Sequence, residues 1–375
     1  MSTGSQSLVQ VFKSYRVNWY RCPIDRDTLR DLVQRSDVQG WLQAVGHLAL
    51  VACAGALTYE FGERQMWVGF ALALFVHGTV SSHYLSACHE LGHGTVFKTK
   101  WLNGLFLRLF SLLAWWNFHE YALSHTYHHV YTLHPRADKE VVLPKSPSLR
   151  PLYLLQLFTF NVTGGFESRG VINMVGGIVK TAFGGYGVMS TPGWLEALYA
   201  DRPDARRRAV NWARFVLLFH VVVAAISFTL GLWIVPVLVS LGPAIANWHR
   251  YFVGVPMHCG LRDNVPDFRK CVRTITLSPV SEFLYWHMNW HLEHHMFAAI
   301  PCYNLRKLHY AIADYMPTPR TLLGAWREMR ETWHRQQVDP SYQFDTPVPQ
   351  PAEDTSSPQA PEAASIGDLA PAELR

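Results

Sequence analysis

The chain has 375 residues, a formal charge of +5 and 16% charged residues, against 49% hydrophobic and 13% aromatic. Soluble domains carry roughly 25% charge, so this composition argues against an ordinary soluble domain and for surface that faces lipid. Nothing in a net charge of +5 calls for a nucleic acid partner, and none is expected.

Residues 1–40 are mostly polar and lack the apolar stretch of a secretory signal, so they are expected to be a cytosolic N-terminal segment. Apolar runs follow at 42–59 and 66–88, the second broken only by His77 and His83. Each is near the length of about 20 residues that a helix needs to cross a bilayer. The run 102–116 carries Arg108 and is predicted to be a re-entrant or interfacial helix. Residues 151–160 predict a short surface helix, while the glycine-rich stretch 170–187 predicts no particular fold. The run 213–248 is too long for one crossing and long enough for two, with Thr229-Leu230-Gly231-Leu232 as the turn between them. Residues 339–375 are rich in Pro, Ala, Ser and acids and predict a disordered tail. The expected architecture is an all-α integral membrane protein of four transmembrane helices in two hairpins, over 41–338, with a cytosolic histidine-rich helical cap.

Lys and Arg set the orientation. Lys13, Arg16, Arg21, Arg26, Arg30 and Arg35 precede the first run, and Arg202, Arg206, Arg207, Arg208 and Arg214 stand at the start of the third. The loop between the first two runs offers only Arg64. Both termini and the segment between the hairpins are therefore expected in the cytoplasm, as for a bacterial inner-membrane protein. The six cysteines are scattered without a C-x-x-C pair, as free thiols in a reducing compartment would be.

Nineteen histidines are the unusual count, and eight fall into three clusters: His89 and His93; His125, His128 and His129; His291, His294 and His295. On a helix, positions i, i+3 and i+4 share a face, so each cluster can aim its imidazoles at one place. Neutral imidazole is a good ligand for iron, zinc, copper or nickel. Eight histidines exceed what a single zinc takes, and two metals with four or five ligands each fit better. Buried polar residues near a membrane are costly unless they serve a site. His89-Glu90-Leu91-Gly92-His93 also matches the H-E-x-x-H pattern of zinc metalloproteases, with Glu90 as base, but that reading leaves the other six histidines without a purpose.

An H-x-x-x-H box after a membrane hairpin, then H-x-x-H-H, a second hairpin and another H-x-x-H-H, resembles the membrane fatty acid desaturase and hydroxylase superfamily. Tyr285-Trp286-His287-Met288-Asn289-Trp290-His291-Leu292-Glu293-His294-His295 followed by Ile300-Pro301 is similar to its last box, and His128-His129-Val130-Tyr131-Thr132 with Pro135 and Asp138 to its middle one. The resemblance implies two ferrous ions held by these histidines, O2 as co-substrate, and conversion of an unactivated C–H bond to a double bond or a hydroxyl. A ninth ligand is usual in the family; His258, in Pro256-Met257-His258-Cys259-Gly260-Leu261, matches it best, with His287 as competitor. His287, Glu90, Glu293, Asp138 and Glu120 are candidates for orienting the ligand rings. His47, His77 and His220 lie within the apolar runs and read as packing or hydrogen-bonding residues, as do His83, His119 and His249.

The sequence holds no ferredoxin-type cysteine run and no dinucleotide-binding glycine pattern, so electrons are expected from a separate donor, a ferredoxin or similar, docking on the basic cytoplasmic face. The expected substrate is an acyl chain in the bilayer. The stretch 259–273 also resembles a bacterial subgroup whose members are not all lipid enzymes, which leaves an amino-acid-derived, small anionic substrate open. Arg262, Arg269, Lys270 and Arg273 are candidates for an anionic head group. A metal transporter would carry its polar residues deep in the spans, whereas these clusters fall at span ends.

Overall fold

A computed structural model of the chain describes residues 8–143 and 146–349. Among the described residues the fold is mostly helical, and the sheet there is two short parallel strands pairing Ile275 with Arg320 and Thr276 with Thr321.

Among the described residues, three helices are long and apolar enough to cross a membrane: Asp37–Glu63, Trp67–Gly92 and Pro203–Thr229. The first two pack against each other as a hairpin, turned at Gln65 in a left-handed backbone conformation (φ 56°). Their outer faces leave Leu42, Leu57, Leu72 and Val76 exposed, and Leu218, Val221 and Phe228 are exposed on the third. Such rows of bare aliphatic surface suit lipid rather than water. The second helix has a break at Ser82–His83 before its last section, Tyr84–Gly92, which carries the first histidine cluster.

The run 213–248 holds one helix long and apolar enough to cross a membrane, followed by a shorter apolar segment. The helix Pro203–Thr229 ends in the expected turn, with Gly231 at φ +73° and Leu232 N–H bonding Ser227 O at 2.8 Å. Beyond it, Ile234–Ala244 is only a short apolar segment that changes from α to wide π-type to tight 3-10 winding. Pro236 and Pro243 explain the irregularity, since proline has no N–H for the helical ladder. At Ile245 and Ala246 the backbone leaves the helix and pairs with residues 159–161 (Ala246 N to Thr159 O, Asn161 N to Ala244 O, both 2.8 Å). Helical structure resumes at Trp248–Gly254. Gly78 allows this close passage, because a Cβ there would collide with the Ile245 carbonyl.

The histidines inside the spans tie helices together. His77 contacts Val51 O at 3.2 Å and Leu238 O at 3.1 Å, and His47 contacts Val80 O and the Trp286 indole N–H, each at 3.0 Å. His220 bonds Leu112 O and Ser240 Oγ and stacks on Trp115. His83 and His249 bond each other at 2.8 Å.

Lys100–Leu113 buries one side (Leu102, Phe106, Phe110) and exposes Trp101 and Leu105, the pattern of an amphipathic helix. Pro151–Phe158 forms the expected short helix. The glycine-rich stretch contains a helix, Val171–Ala182, packed on Pro203–Thr229 through Met174, Ile178 and Ala182. The first part of the expected disordered tail is ordered: Phe344 N–H bonds Gly260 O at 2.7 Å, Lys270 bonds Asp345, and Thr346 is buried. Residues 350–375 lie outside the described residues.

Candidate metal centre

The three clusters sit on three helices that meet beneath the first hairpin. Phe118–Tyr131, capped by Asn117, carries His125, His128 and His129. The short helix His291–Met296 carries the last three. It is held by Glu293, fully buried, which accepts from the Thr274 hydroxyl at 2.5 Å and pairs with His309 Nδ1 at 2.6 Å.

The nine predicted histidines fall into two groups. His89, His93, His125, His129 and His294 form one, and His128, His258, His291 and His295 the other; within each, the facing ring nitrogens lie within 4.8 Å of one another. The groups adjoin, since the rings of His129 and His295 stack at 4.3 Å. The i, i+4 pairs stay together, while the i+3 histidine turns to the neighbouring group: His128 leaves His125 and His129, and His294 leaves His291 and His295. The clusters do not each address one locus, as a shared face had implied. Successive positions are about 100° apart around a helix, so an His-His pair reaches two loci.

Five of the nine rings have their outer nitrogen engaged. His89 Nδ1 pairs with Glu90 Oε1 (2.8 Å), His125 Nδ1 with Glu140 Oε1 (2.9 Å), His128 Nδ1 with Asp138 Oδ2 (2.9 Å) and His258 Nδ1 with Cys271 O (3.0 Å). His295 Nδ1 meets Thr132 Oγ1 at 3.1 Å; that hydroxyl donates to His128 O and so accepts from the ring. Carboxylate and carbonyl oxygens only accept, so these rings carry their proton on Nδ1 and present a lone pair on Nε2. Asp138 also accepts from the Leu133 and Glu140 amides, which fixes its orientation.

The inward nitrogens then face one another. His125 and His129 approach Nε2 to Nε2 at 3.0 Å, and His291 Nε2 lies 3.1 Å from His258 Nε2 and 3.2 Å from that of His295. At most one proton from His291 is available between three such atoms. Two nitrogens each about 2.1 Å from one cation, at right angles, stand about 3 Å apart. Further ring nitrogens are buried without a hydrogen-bond partner: His89 Nε2, His93 Nε2, His129 Nδ1, His291 Nδ1 and both of His294. Each costs roughly 1–3 kcal/mol if left so. A metal takes one nitrogen of each ring, so it would relieve His89 Nε2, His93 Nε2 and one nitrogen of His294 as well as the facing Nε2 pairs, and the residues fit a pair of metal ions. Burial, reinforced by neighbouring imidazoles, lowers His125, His129, His291, His294 and His295 well below the ordinary histidine range, and His93 to about 3. At neutral pH these rings are uncharged, as ligation requires.

His287 belongs to neither group; its Nδ1 pairs with Glu282 at 3.0 Å. Glu120 is also elsewhere, bonded to Thr181 at 2.8 Å and near Arg206. Glu140 was not anticipated, and the one signal in the sequence was a second acid two residues after Asp138. Burial pushes it up to about 7. The cations proposed for a head group are all occupied: Arg273 is buried against Glu328, Arg269 pairs with Asp267 and lies over Tyr20, and Lys270 and Arg262 share Asp345.

This histidine architecture on apolar helices is that of a membrane desaturase. The family model for fatty acid desaturase matches residues 65–327, and the chain belongs to that family, within the membrane desaturase and hydroxylase superfamily of oxidoreductases. Among curated proteins it is similar to the sn-1 oleoyl-lipid 12-desaturase of a Picosynechococcus species, 23% identical over 312 residues that cover 76% of this chain and 80% of the relative.

Proposed function

We propose that the protein is an O2-dependent desaturase whose nine histidines hold two ferrous ions, five on one and four on the other. The convergence of nine imidazoles into two adjoining groups carries this reading. Two irons there would supply O2 activation and hydrogen abstraction from carbon. The chain's own residues do the rest. Glu90, Glu140, Asp138, Thr132 and the Cys271 carbonyl hold the rings in the tautomer that offers Nε2.

The overall reaction takes a CH2–CH2 unit, one O2, two electrons and two protons to a CH=CH unit and two waters. Both electrons come from outside, one at a time, from a ferredoxin-like donor on the basic cytoplasmic face. In this arrangement residues 234–254 complete a fourth, broken crossing, and both termini lie in the cytoplasm. Irregular backbone at such depth is tolerated where protein covers it.

The iron-loaded, chemically reduced protein is expected to consume O2 only when substrate is present and to yield a product two hydrogens lighter. A product heavier by one oxygen would make it a hydroxylase, and O2 uptake without any modified carbon compound would end the proposal.

A further inference from the structure

A cavity of about 200 Å³ borders the five-histidine group at His89 and is lined by Glu140, Tyr121, Tyr285 and Met288. Two guanidinium groups, Arg169 and Arg250, line the same space, with Glu167 beside them. Cations this close to the candidate metal centre are unexpected for a pocket that holds hydrocarbon alone.

Both arginines are built in. Arg169 lies over the Trp116 ring at 4.2 Å, and its Nη2 donates to Trp115 O at 3.1 Å. Its backbone is left-handed (φ 51°), a conformation that costs a non-glycine residue energy and recurs at functional sites. Ser168, just before it, is gripped by two buried asparagines. Asn161 Nδ2 donates to Ser168 O at 3.2 Å, Asn247 Nδ2 donates to the same oxygen at 2.6 Å, and the asparagines bond each other at 3.2 Å. Asn247 lies three residues before Arg250, so one buried clamp sets the positions of both cations. Arg250 Nη2 is buried with no hydrogen-bond partner. A buried donor without an acceptor is costly, and more so when charged.

Size points the same way. A cavity of about 150 Å³ takes benzene, with six heavy atoms. At that density about 200 Å³ holds roughly eight, far short of an oleoyl chain. The large apolar groove, about 560 Å³, is elsewhere, between Phe70, Phe75, Phe158 and Leu241; neither an arginine nor a ligand histidine lines it.

We propose that the cavity at His89 takes a small aliphatic carboxylate, its anionic end held by Arg250 and Arg169 and its carbon chain directed at the histidine groups. This deepens the desaturase reading and rests on it for the chemistry, but the binding stands apart from turnover.

The test is titration calorimetry on the full iron-loaded chain in detergent, with hexanoate as probe, hexan-1-ol as its uncharged counterpart and oleoyl phosphatidylcholine vesicles as the lipid. Saturable binding of one hexanoate per chain is expected, with hexanol at least tenfold weaker. Arg250→Gln and Arg169→Gln are each expected to weaken hexanoate binding roughly 10- to 100-fold, the range for loss of a charge-assisted contact in a buried site. Arg262→Gln, far from the cavity and paired with Asp345, serves as the control that leaves it unchanged. Iron content at the wild-type level certifies the fold of each variant, and either arginine variant alone decides the matter if the other does not fold. Hexanol binding as tightly as hexanoate, hexanoate binding indifferent to both arginines, or turnover of the oleoyl lipid with no carboxylate bound would overturn the proposal. Hexanoate binding without O2 consumption would instead support it while removing the desaturase reading.

Discussion

Replacing His294 with leucine is expected to abolish turnover and to raise the stability of the metal-free protein. Both ring nitrogens of His294 are buried without a hydrogen-bond partner, Glu90 Oε1 standing 3.9 Å from Nδ1, and its ring lies 4.6 Å from that of His93 and 4.7 Å from that of His89. In the loaded protein it would be one of five ligands on the first metal. Residues that merely orient a ligand cost about 10–100-fold in metal affinity or activity when lost, so loss of a ligand is expected to cost more than ~100-fold in turnover, with iron falling towards one per chain. Without metal, the same imidazole is an uncompensated buried polar group, and a similar-sized apolar side chain relieves it. Thermal unfolding of chelator-treated samples is therefore expected to show His294→Leu at or above the wild type, and loaded wild type above both. A residue of purely structural importance would lower stability in both states. Full iron content in the variant would remove His294 from the ligand set.

His258→Ala and His287→Ala are expected to part company. His258 brings Nε2 to 3.1 Å from His291 Nε2 and is oriented by the Cys271 carbonyl, whereas His287 is engaged with Glu282 and reaches neither group. The first variant is expected to lose the metal of the four-histidine group and more than ~100-fold of activity. The second is expected to keep both metals. His287 has a positive φ of 58°, so its replacement acts through the backbone that leads into His291–Met296 rather than through ligation. Parallel metal analysis and O2 uptake read both effects. Equal metal loss in the two variants would reverse the assignment.

Much of this site was legible because its elements are local. Three clusters with helical spacing identify eight rings, and the resemblance supplied His258. The division of labour was not legible, since it depends on how three helices cross: that His128 parts from His129, and His294 from His295, follows from a rotation of about 100° per residue seen against partners far along the chain. Glu140 supports His125 from fifteen residues further on, beyond the end of the helix at Tyr131, and no periodicity marks such a pair. Arg169 and Arg250 are eighty-one residues apart and meet only because Asn161 and Asn247 close on Ser168. The winding of segment 234–244 was hidden for the opposite reason. Its composition is that of a crossing, but Pro236 and Pro243 and the pairing with residues 159–161 decide its winding. Hydropathy averages over such details.

The assignment of two irons to nine histidines is checked by metal analysis of the full chain, purified without oxygen from iron-supplied cells. About two irons per chain and negligible zinc are expected, whereas one zinc with no iron would contradict it.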